Sequence, residues 1–269
     1  MNKDEIQFTV FTKPWNIPAA DLARYVKSLG FDGVELPVRD GYEVTPENIE
    51  KKLPEVVKIF TDNGLTIPSI APLPPFQEKV IAACGNANVK IIRQCVRISL
   101  EIGYMKTMEQ LWKEFDKLVP VLEKYNVSIG IQNHCDLFIP HALGVRYLIE
   151  RYSHKHFCAV WDPMHCALSG EDPRLAIDIL WDYLVMVNLK NAYWRRTTGT
   201  EAEYVQWEHY MTSGRQGLAS WPLVVHVLKE RNYKGIVCLT AEYTDEKSVN
   251  RLIKEDIEFA KSLFKHPFL

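Results

Sequence analysis

Short apolar runs alternate with longer amphipathic stretches along the whole chain. The first β-rich run covers residues 6–12, and the amphipathic stretch at 18–29 follows it. The same pairing recurs up to the run at 236–240 and the final stretch at 246–264. This alternation is typical of βα units arranged around a parallel sheet.

Eight such pairs can be counted. The predicted strands are residues 6–12, 33–36, 65–70, 90–95, 128–133, 157–161, 184–189 and 236–240. The predicted helices lie near 18–29, 45–63, 75–84, 107–125, 143–152, from 173 onward, 220–231 and 246–264. Eight repeats fit a closed (β/α)8 barrel, which takes about 250 residues, better than an open doubly wound sheet. No Gly-x-Gly-x-x-Gly turn follows the first strand, which further disfavours the open sheet. The sequence therefore predicts an α/β fold, a single TIM-barrel domain over residues 1–269.

Two local features refine this prediction. Thr45 before Pro46 predicts the N-cap and first turn of the second helix. After strand seven, roughly 30 residues precede the next helix, against the usual ~2–6 residues of a βα loop. We expect this long loop to be a lid or a binding element. Its aromatic residues could stack on the apolar face of a ligand or simply pack together, and they are Tyr193, Trp194, Tyr204 and Trp207.

Composition narrows the classes of function. The chain has 32 basic and 34 acidic residues and a formal charge of −2, so no general positive field favours nucleic acid. Its longest apolar runs are far shorter than the ~20 residues that cross a membrane, and its charged start does not resemble a signal peptide. The six cysteines contain no Cys-x-x-Cys pair, which favours reduced thiols. We expect a cytoplasmic protein with neither nucleic-acid nor membrane partners.

Polar residues collect where the predicted strands end, which is where a barrel carries its chemistry. Buried polar groups without partners cost free energy, so a ring of them suggests a shared ligand or ion. The members of this ring are Lys13, Trp15, Glu35, Arg93, Gln94, Gln132, Asn133, His134, Asp162, His165, Asn188, Lys190, Asn191 and Glu242.

Five segments resemble the xylose isomerase-like TIM barrels in their order and spacing. That superfamily includes sugar epimerases, hydroxypyruvate isomerases, inosose dehydratases and type 2 apurinic endonucleases. The resemblance covers nearly the whole chain, and it implies a small sugar or polyol as the substrate without selecting one activity. The segments are FDGVEL at 31–36, QNH at 132–134, WDPMH at 161–165, NLKN at 188–191 and GIVCLTAE at 235–242.

The resemblance also implies a metal site. In the epimerase-like members, a Glu, an Asp, a His and a Glu from successive strands hold a divalent metal. The matching residues here are Gln132, Asp162, Asn188 and Glu242, so two of the four keep the family identity. An all-oxygen set with two negative charges suits Mg²⁺, Mn²⁺ or Ca²⁺ better than Zn²⁺, and Mg²⁺ or Mn²⁺ is the cofactor we expect. The two neutral replacements weaken such a site, and a protein without any cofactor stays an open alternative.

The replacements change the expected chemistry as well. Gln132 cannot ionise, so the usual pair of glutamate bases is incomplete and Glu242 is the remaining candidate base. We expect Glu242 to remove a proton next to a carbonyl that a cation polarises, and His165, Lys190 or Glu35 to return a proton or hold the oxyanion. The residues predicted to contact substrate are Lys13, Trp15, Glu35 and His134.

Three functions stay open at this stage. The first is a sugar isomerase or epimerase-like enzyme, and a lyase resembling inosose dehydratase is a variant of it. The second is a catalytically decayed sugar-binding or regulatory barrel, for which Gln132 and Asn188 are the direct evidence. The endonuclease branch ranks third because the histidine-rich metal set is missing. Structural roles compete throughout: Asp162 could cap a helix, and Lys190 could pair with Glu242. Homo-oligomerisation is also open, since no partner surface can be identified in the sequence.

Overall fold

Eight parallel strands close into a barrel in a computed structural model that describes residues 5–75 and 77–265. The first strand pairs with both the second and the last, so the predicted TIM barrel is confirmed. The first four residues and residue 76, which belongs to the predicted helix 75–84, lie outside the described residues. The barrel strands are β1 (Gln7–Phe11), β2 (Gly33–Val38), β3 (Thr66–Pro72), β4 (Ile91–Cys95), β5 (Ser128–Gln132), β6 (Phe157–Trp161), β7 (Leu184–Leu189) and β10 (Ile236–Leu239).

Helices cover the outer face of the barrel. Each has an apolar stripe buried against the strands or against a neighbouring helix, as the amphipathic pattern predicts. Within the described ranges, no helix combines the length and apolarity needed to cross a membrane. The helices are α1 (Ala19–Ser28), α2 (Ile49–Asp62), α3 (Glu78–Asn86), α4 (Tyr104–Tyr125), α5 (Ala142–Ile149), α6 (Pro163–Leu168), α7 (Pro173–Leu180), α8 (Trp221–Glu230) and α9 (Val249–Lys265).

The strands separate two apolar cores, because successive side chains of a strand point to opposite faces. On β6, Phe157, Ala159 and Trp161 belong to the large core beneath the helices. Val160 instead belongs to a small cluster with residues from β1, β3, β7 and β10, which fills the barrel interior. Asp162, two positions after Val160, therefore faces the interior at the mouth of the barrel.

The second helix begins later than the sequence predicted. Its N-cap position is Asn48, whose Oδ1 accepts a hydrogen bond from the backbone N–H of Thr45 at 2.9 Å. This bond closes a separate turn that contains Pro46, so Thr45 is not the N-cap. The competition between a local side-chain turn and the helix decided the boundary.

The long connection after β7 is not a plain loop, because it contains an antiparallel hairpin. Its strands are β8 (Asn191–Arg196) and β9 (Trp207–Thr212). Aromatic rings pair across it, Tyr193 with Tyr210 and Trp194 with His209. Trp194 Nε1 also donates to the carbonyl of Leu168, at the end of α6, at 3.0 Å. A two-stranded hairpin is marginal alone, so this packing, which the sequence pattern did not reveal, supports it.

All six cysteines are free thiols, as the sequence analysis expected. Five are buried, and Cys95 is partly exposed. Burial raises the pKa of Cys158 to about 12, which is typical of an inert structural thiol.

Candidate active site at the barrel mouth

A hydrogen-bonded chain crosses the barrel mouth from β2 to β6. Arg93 Nε donates to Glu35 Oε2 at 2.8 Å, and Arg93 Nη1 donates to Gln132 Oε1 at 2.6 Å. Gln132 Nε2 donates in turn to Asp162 Oδ2 at 2.9 Å. The Arg93 guanidinium also lies over the ring of Phe11, 4.7 Å from its centroid. These contacts join four of the polar strand-end residues into one network around a buried cation.

Burial governs the charge state of the carboxylate at one end of this chain. The Glu35 side chain is 0% exposed, and desolvation raises its pKa although the charge of Arg93 lowers it. The ion pair therefore keeps Glu35 partnered in a place where a lone carboxylate would be costly. Arg93 was among the polar strand-end residues identified from the sequence, and it is the only charged residue in strand β4.

Glu242 is held between two lysines. Lys13 Nζ lies 2.6 Å from Glu242 Oε1, and Lys190 Nζ lies 2.9 Å from Oε2. Burial acts to raise the pKa of Glu242, but the charges and hydrogen bonds of the two ammonium groups outweigh it and hold that pKa well below its usual range. Lys190 is buried while Lys13 is 46% exposed, so the triad connects the barrel interior to solvent.

Asp162 starts α6, a short helix that the sequence analysis did not predict. Its Oδ1 accepts from the backbone N–H groups of Met164 at 3.0 Å and His165 at 3.3 Å, and Pro163 occupies the first helical position. The capping role considered for Asp162 is thus present in the structure. Burial raises the pKa of this carboxyl to about 6, although the charge of Lys190 lowers it.

This raised pKa predicts a pH dependence of stability. Because the folded-state pKa of Asp162 exceeds its unfolded value of about 4, the folded state binds more protons between these limits, and stability falls as pH rises through them. Asp162→Asn keeps the capping oxygen and removes the charge, so the variant should lose part of this dependence. Urea midpoints at about pH 5 and about pH 7 measure it. If the urea midpoint changed equally with pH in both proteins, the expectation would be contradicted. Asp256, whose pKa is also raised to about 6, is present in both proteins and therefore does not cause a difference between them.

Two histidines stack beside a buried cysteine near Asp162. The ring centroids of His134 and His165 are 3.9 Å apart. His165 Nδ1 accepts from the backbone N–H of Cys135 at 3.2 Å and lies 3.1 Å from its Sγ. His165 Nε2 is buried without a hydrogen-bond partner, 3.6 Å from Asp162 Oδ2. Desolvation lowers the pKa of both histidines, so both are neutral at neutral pH.

A pocket of about 460 Å³ opens beside Glu242. Its volume lies within the range of about 300–1,000 Å³ that is common for small-molecule sites. Trp15 forms part of the wall, and its Nε1 donates to Asn250 Oδ1 at 2.8 Å. The lining includes Lys13, Trp15, Tyr42, Met211, Glu242 and Asn250.

The predicted site residues thus form two groups, one at the pocket and one outside its lining. Lys13, Trp15 and Glu242 line the pocket, and Lys190 joins it through its bond to Glu242. The others lie deeper or on the neighbouring wall, and they are Glu35, Gln132, His134, Asp162, His165 and Asn188. Arg93 was predicted to lie in the polar ring without a specific role, and neither Cys135 nor His209 had a predicted role in the site. For Cys135 the available signal was its position next to the predicted residue His134 at a strand end.

Three of the four residues predicted to hold a metal, Gln132, Asp162 and Glu242, already use their side-chain oxygens as hydrogen-bond acceptors. Gln132 Oε1 accepts from Arg93, and each carboxylate oxygen of Glu242 accepts from a lysine ammonium. The side of the Gln132 amide that faces Asp162 is its NH₂ group. Asn188 differs, because its Oδ1 and Nδ2 are buried without partners. Three cationic side chains already supply the positive charge, so these residues as arranged do not fit Mg²⁺ or Mn²⁺. Among the described residues, the groups of His, Cys and carboxylate side chains that could hold an ion both contain Cys135.

Comparisons with known proteins agree with the barrel architecture. Solved structures with similar folds include an L-ribulose 3-epimerase, with 13% identity, a TM-score of 0.74 and coverage of 97% of this chain and 95% of that one. A D-psicose 3-epimerase from Clostridium cellulolyticum H10, solved with D-tagatose, has 13% identity, a TM-score of 0.71 and coverage of 96% and 99%. The probable 3-DHS dehydratase AsbF from Bacillus anthracis, involved in petrobactin synthesis, has 13% identity, a TM-score of 0.71 and coverage of 95% and 98%.

These identities are low, so the three structures show a shared fold alone. No curated protein matches this chain with significance. Residues 23–263, by contrast, match the family model described as Xylose isomerase-like TIM barrel. The match spans nearly all of the barrel, from α1 to α9. The chain therefore belongs to the xylose isomerase-like TIM barrel family.

Proposed function

We propose that this protein is a sugar isomerase or epimerase-like enzyme that removes a proton next to the carbonyl of a small sugar or a keto-polyol. The observation that carries this proposal is the position of Glu242, an ionised carboxylate between Lys13 and Lys190 on the wall of a 460 Å³ pocket. A carboxylate can accept a proton from carbon, and an ammonium group can donate to the carbonyl oxygen that gains negative charge. The lysines supply the positive charge for which the family uses a metal.

Substrate binding raises the basicity of Glu242 through its two lysine partners. In the free protein they hold its pKa low, which makes it a weak base. When a substrate carbonyl oxygen accepts an N–H from one lysine, that lysine stabilises the carboxylate less, and the pKa of Glu242 rises. The proton on the adjacent carbon then moves to Glu242, and the electron pair of the C–H bond moves towards the oxygen to give an enediolate. Return of this proton to the former carbonyl carbon, together with transfer of the hydroxyl proton from the second oxygen to the first, completes an isomerisation.

The pocket walls fit a small polyhydroxylated ligand. The indole of Trp15 offers an apolar face of the kind that stacks on sugar rings, and its bond to Asn250 fixes the orientation of the ring. Tyr42 is held in the wall by a hydrogen bond from its hydroxyl to the carbonyl of Lys13 at 2.6 Å. Such a site combines an aromatic platform with charged groups at one end, which suits a ligand with one reactive carbonyl.

Deuterium exchange tests the proposal directly. Purified protein, freed of metals with a chelator, is incubated in D₂O with a panel of aldoses, ketoses and cyclic keto-polyols. We expect deuterium to enter the carbon next to the carbonyl of at least one sugar, which NMR detects. Elimination of water from the same substrate would identify a lyase of the dehydratase kind. Absence of both exchange and sugar binding over the whole panel would refute the proposal.

A second candidate function is a barrel that binds a sugar without converting it. It is favoured by the neutral residues Gln132 and Asn188 and by the low pKa of Glu242, which makes the resting carboxylate a poor base. Calorimetry separates the two candidates. A sugar that binds, yet shows no exchange during prolonged incubation, would support the binding barrel.

A further inference from the structure

Metal-ligating side chains converge on Cys135, apart from the four positions that the family resemblance implied. They form two overlapping groups of three, and within each group the ligand atoms all lie within 4.8 Å of one another. Cys135 is common to both groups. We name these residues the Cys135 cluster; its members are His134, Cys135, Asp136, His165 and His209.

We propose that the Cys135 cluster binds a zinc ion through Cys135, His134 and His165, with His209 as the fourth ligand. Thiolate sulfur and imidazole nitrogen are the usual zinc ligands in proteins. With Zn–S near 2.3 Å and Zn–N near 2.0–2.1 Å, a tetrahedral site places sulfur and nitrogen about 3.5 Å apart. Cys135 Sγ lies 3.1 Å from His165 Nδ1, so small side-chain rotations bring the ligands to these distances.

The hydrogen bonds around the histidines indicate which ring nitrogen of each could bind an ion. His134 Nδ1 donates to the carbonyl of Cys135 at 2.9 Å, which leaves the lone pair of Nε2 available. His165 Nδ1 accepts from the Cys135 N–H, so its proton is on Nε2, facing Asp162 Oδ2 at 3.6 Å. An ion that binds to Nδ1 replaces this hydrogen bond. Metal-bound histidines commonly donate their second N–H to a carbonyl or a carboxylate. This pattern accounts for the position of His165 Nε2, which faces a carboxylate but has no hydrogen-bond partner.

The surroundings favour a buried ion with a sulfur ligand. Cys135 is 5% exposed and His165 is 2% exposed. Cys135 packs in a small apolar cluster with Met164, Leu168 and Ala192, against which Met211 also packs. The positive charge of nearby Lys190 opposes a cation, but the thiolate formed when Cys135 loses its proton, together with Asp162 and Asp136, supplies compensating negative charge. Binding at neutral pH therefore releases the thiol proton to solvent.

An ion in this cluster would join three segments that are distant in sequence. Cys135 follows β5, His165 lies in α6, and His209 lies in the hairpin strand β9. The zinc ion would fix the hairpin against the barrel rim beside the sugar pocket. This role is independent of the proton transfer proposed for Glu242, which is not a member of the cluster.

Cobalt titration tests this site without any sugar. Co²⁺ is added to the metal-free protein, and absorbance is followed in the near ultraviolet and the visible. We expect one ion per chain, a thiolate-to-cobalt charge-transfer band, visible bands typical of tetrahedral coordination, and displacement by Zn²⁺. Cys135→Ser should abolish the charge-transfer band. The control is Cys95→Ser, which changes a partly exposed cysteine outside the cluster and should keep the band.

Cys135 is buried, so misfolding of Cys135→Ser would also remove the band. A second variant therefore tests the site at an accessible position. His209→Gln lies on the partly exposed hairpin and should weaken cobalt and zinc binding at least ~10-fold while circular dichroism stays unchanged. In the wild type, zinc should also slow tryptic cleavage after Arg196 in the hairpin, and His209→Gln should abolish this protection. A wild-type protein that binds neither ion, or a charge-transfer band that persists in Cys135→Ser, would overturn the zinc site. Neither result bears on sugar exchange by Glu242.

Discussion

Replacing Glu242 by glutamine is expected to lower the rate of deuterium exchange into a bound sugar by about 10²- to 10⁴-fold, the usual contribution of a general base. The glutamine amide keeps the size of the side chain but cannot accept the proton. It also leaves Lys190, which is buried, without its carboxylate partner. Sugar affinity, measured by calorimetry, should change less than the rate, because the aromatic wall and Lys13 stay in place.

The matched control is Glu255→Gln on α9, where the exposed carboxylate pairs with Arg251 away from the pocket. Exchange in this control should equal that of the wild type. The acid limb of the kcat/KM profile adds a second check, since it reports the free protein. Because the pKa of free Glu242 is held well below its usual range, kcat/KM should not decline until the pH falls below the usual titration range of a carboxylate. Wild-type exchange rates in Glu242→Gln would mean that another group is the base.

Replacing Arg93 by methionine is expected to lower the free energy of unfolding by about 3–5 kcal/mol, the typical cost of removing one partner of a buried ion pair. The variant leaves the fully buried carboxylate of Glu35 without its cation. It also removes the hydrogen bond that Arg93 Nη1 donates to Gln132 Oε1 at 2.6 Å. Urea unfolding at neutral pH measures the loss. The loss should shrink as pH falls, because Glu35, whose pKa is already raised by burial, can then fold in its neutral form.

A double variant distinguishes the lost ion pair from a general packing defect. Combining Arg93→Met with Glu35→Met removes both charges, and similar replacements of buried pairs by apolar residues are often neutral or stabilising. We therefore expect the double variant to be more stable than Arg93→Met alone. Arg251→Met, which breaks an exposed pair on α9, should stay close to the wild type. Equal stability of Arg93→Met and the wild type would show that the pair does not support the fold.

Much of the architecture followed from local sequence. Eight apolar runs and their amphipathic partners predicted the barrel, because the side-chain period of a strand or a helix is set by its own backbone. The same period placed Gln132, Asp162 and Asn188 at strand ends, and the structure finds all three buried at the mouth. The hairpin after β7 and the short helix α6 were missed. The hairpin depends on packing against α6, which no local pattern shows. The helix α6 has a local start signal in Asp162 and Pro163, but its six residues are too few for a clear amphipathic repeat.

The sequence by itself determined the barrel and the types of residue at its mouth, since both are properties of short segments. Only the tertiary structure decided which charged and polar side chains contact one another. Lys13 reaches Glu242 across a separation of 229 residues, and barrel closure brings β1 beside β10. The pairing of β4 with β5 brings Arg93 to Gln132, and the position of the hairpin brings His209 to Cys135. Whether an oxygen faces a metal or a lysine depends on these long-range distances, and no local pattern encodes them.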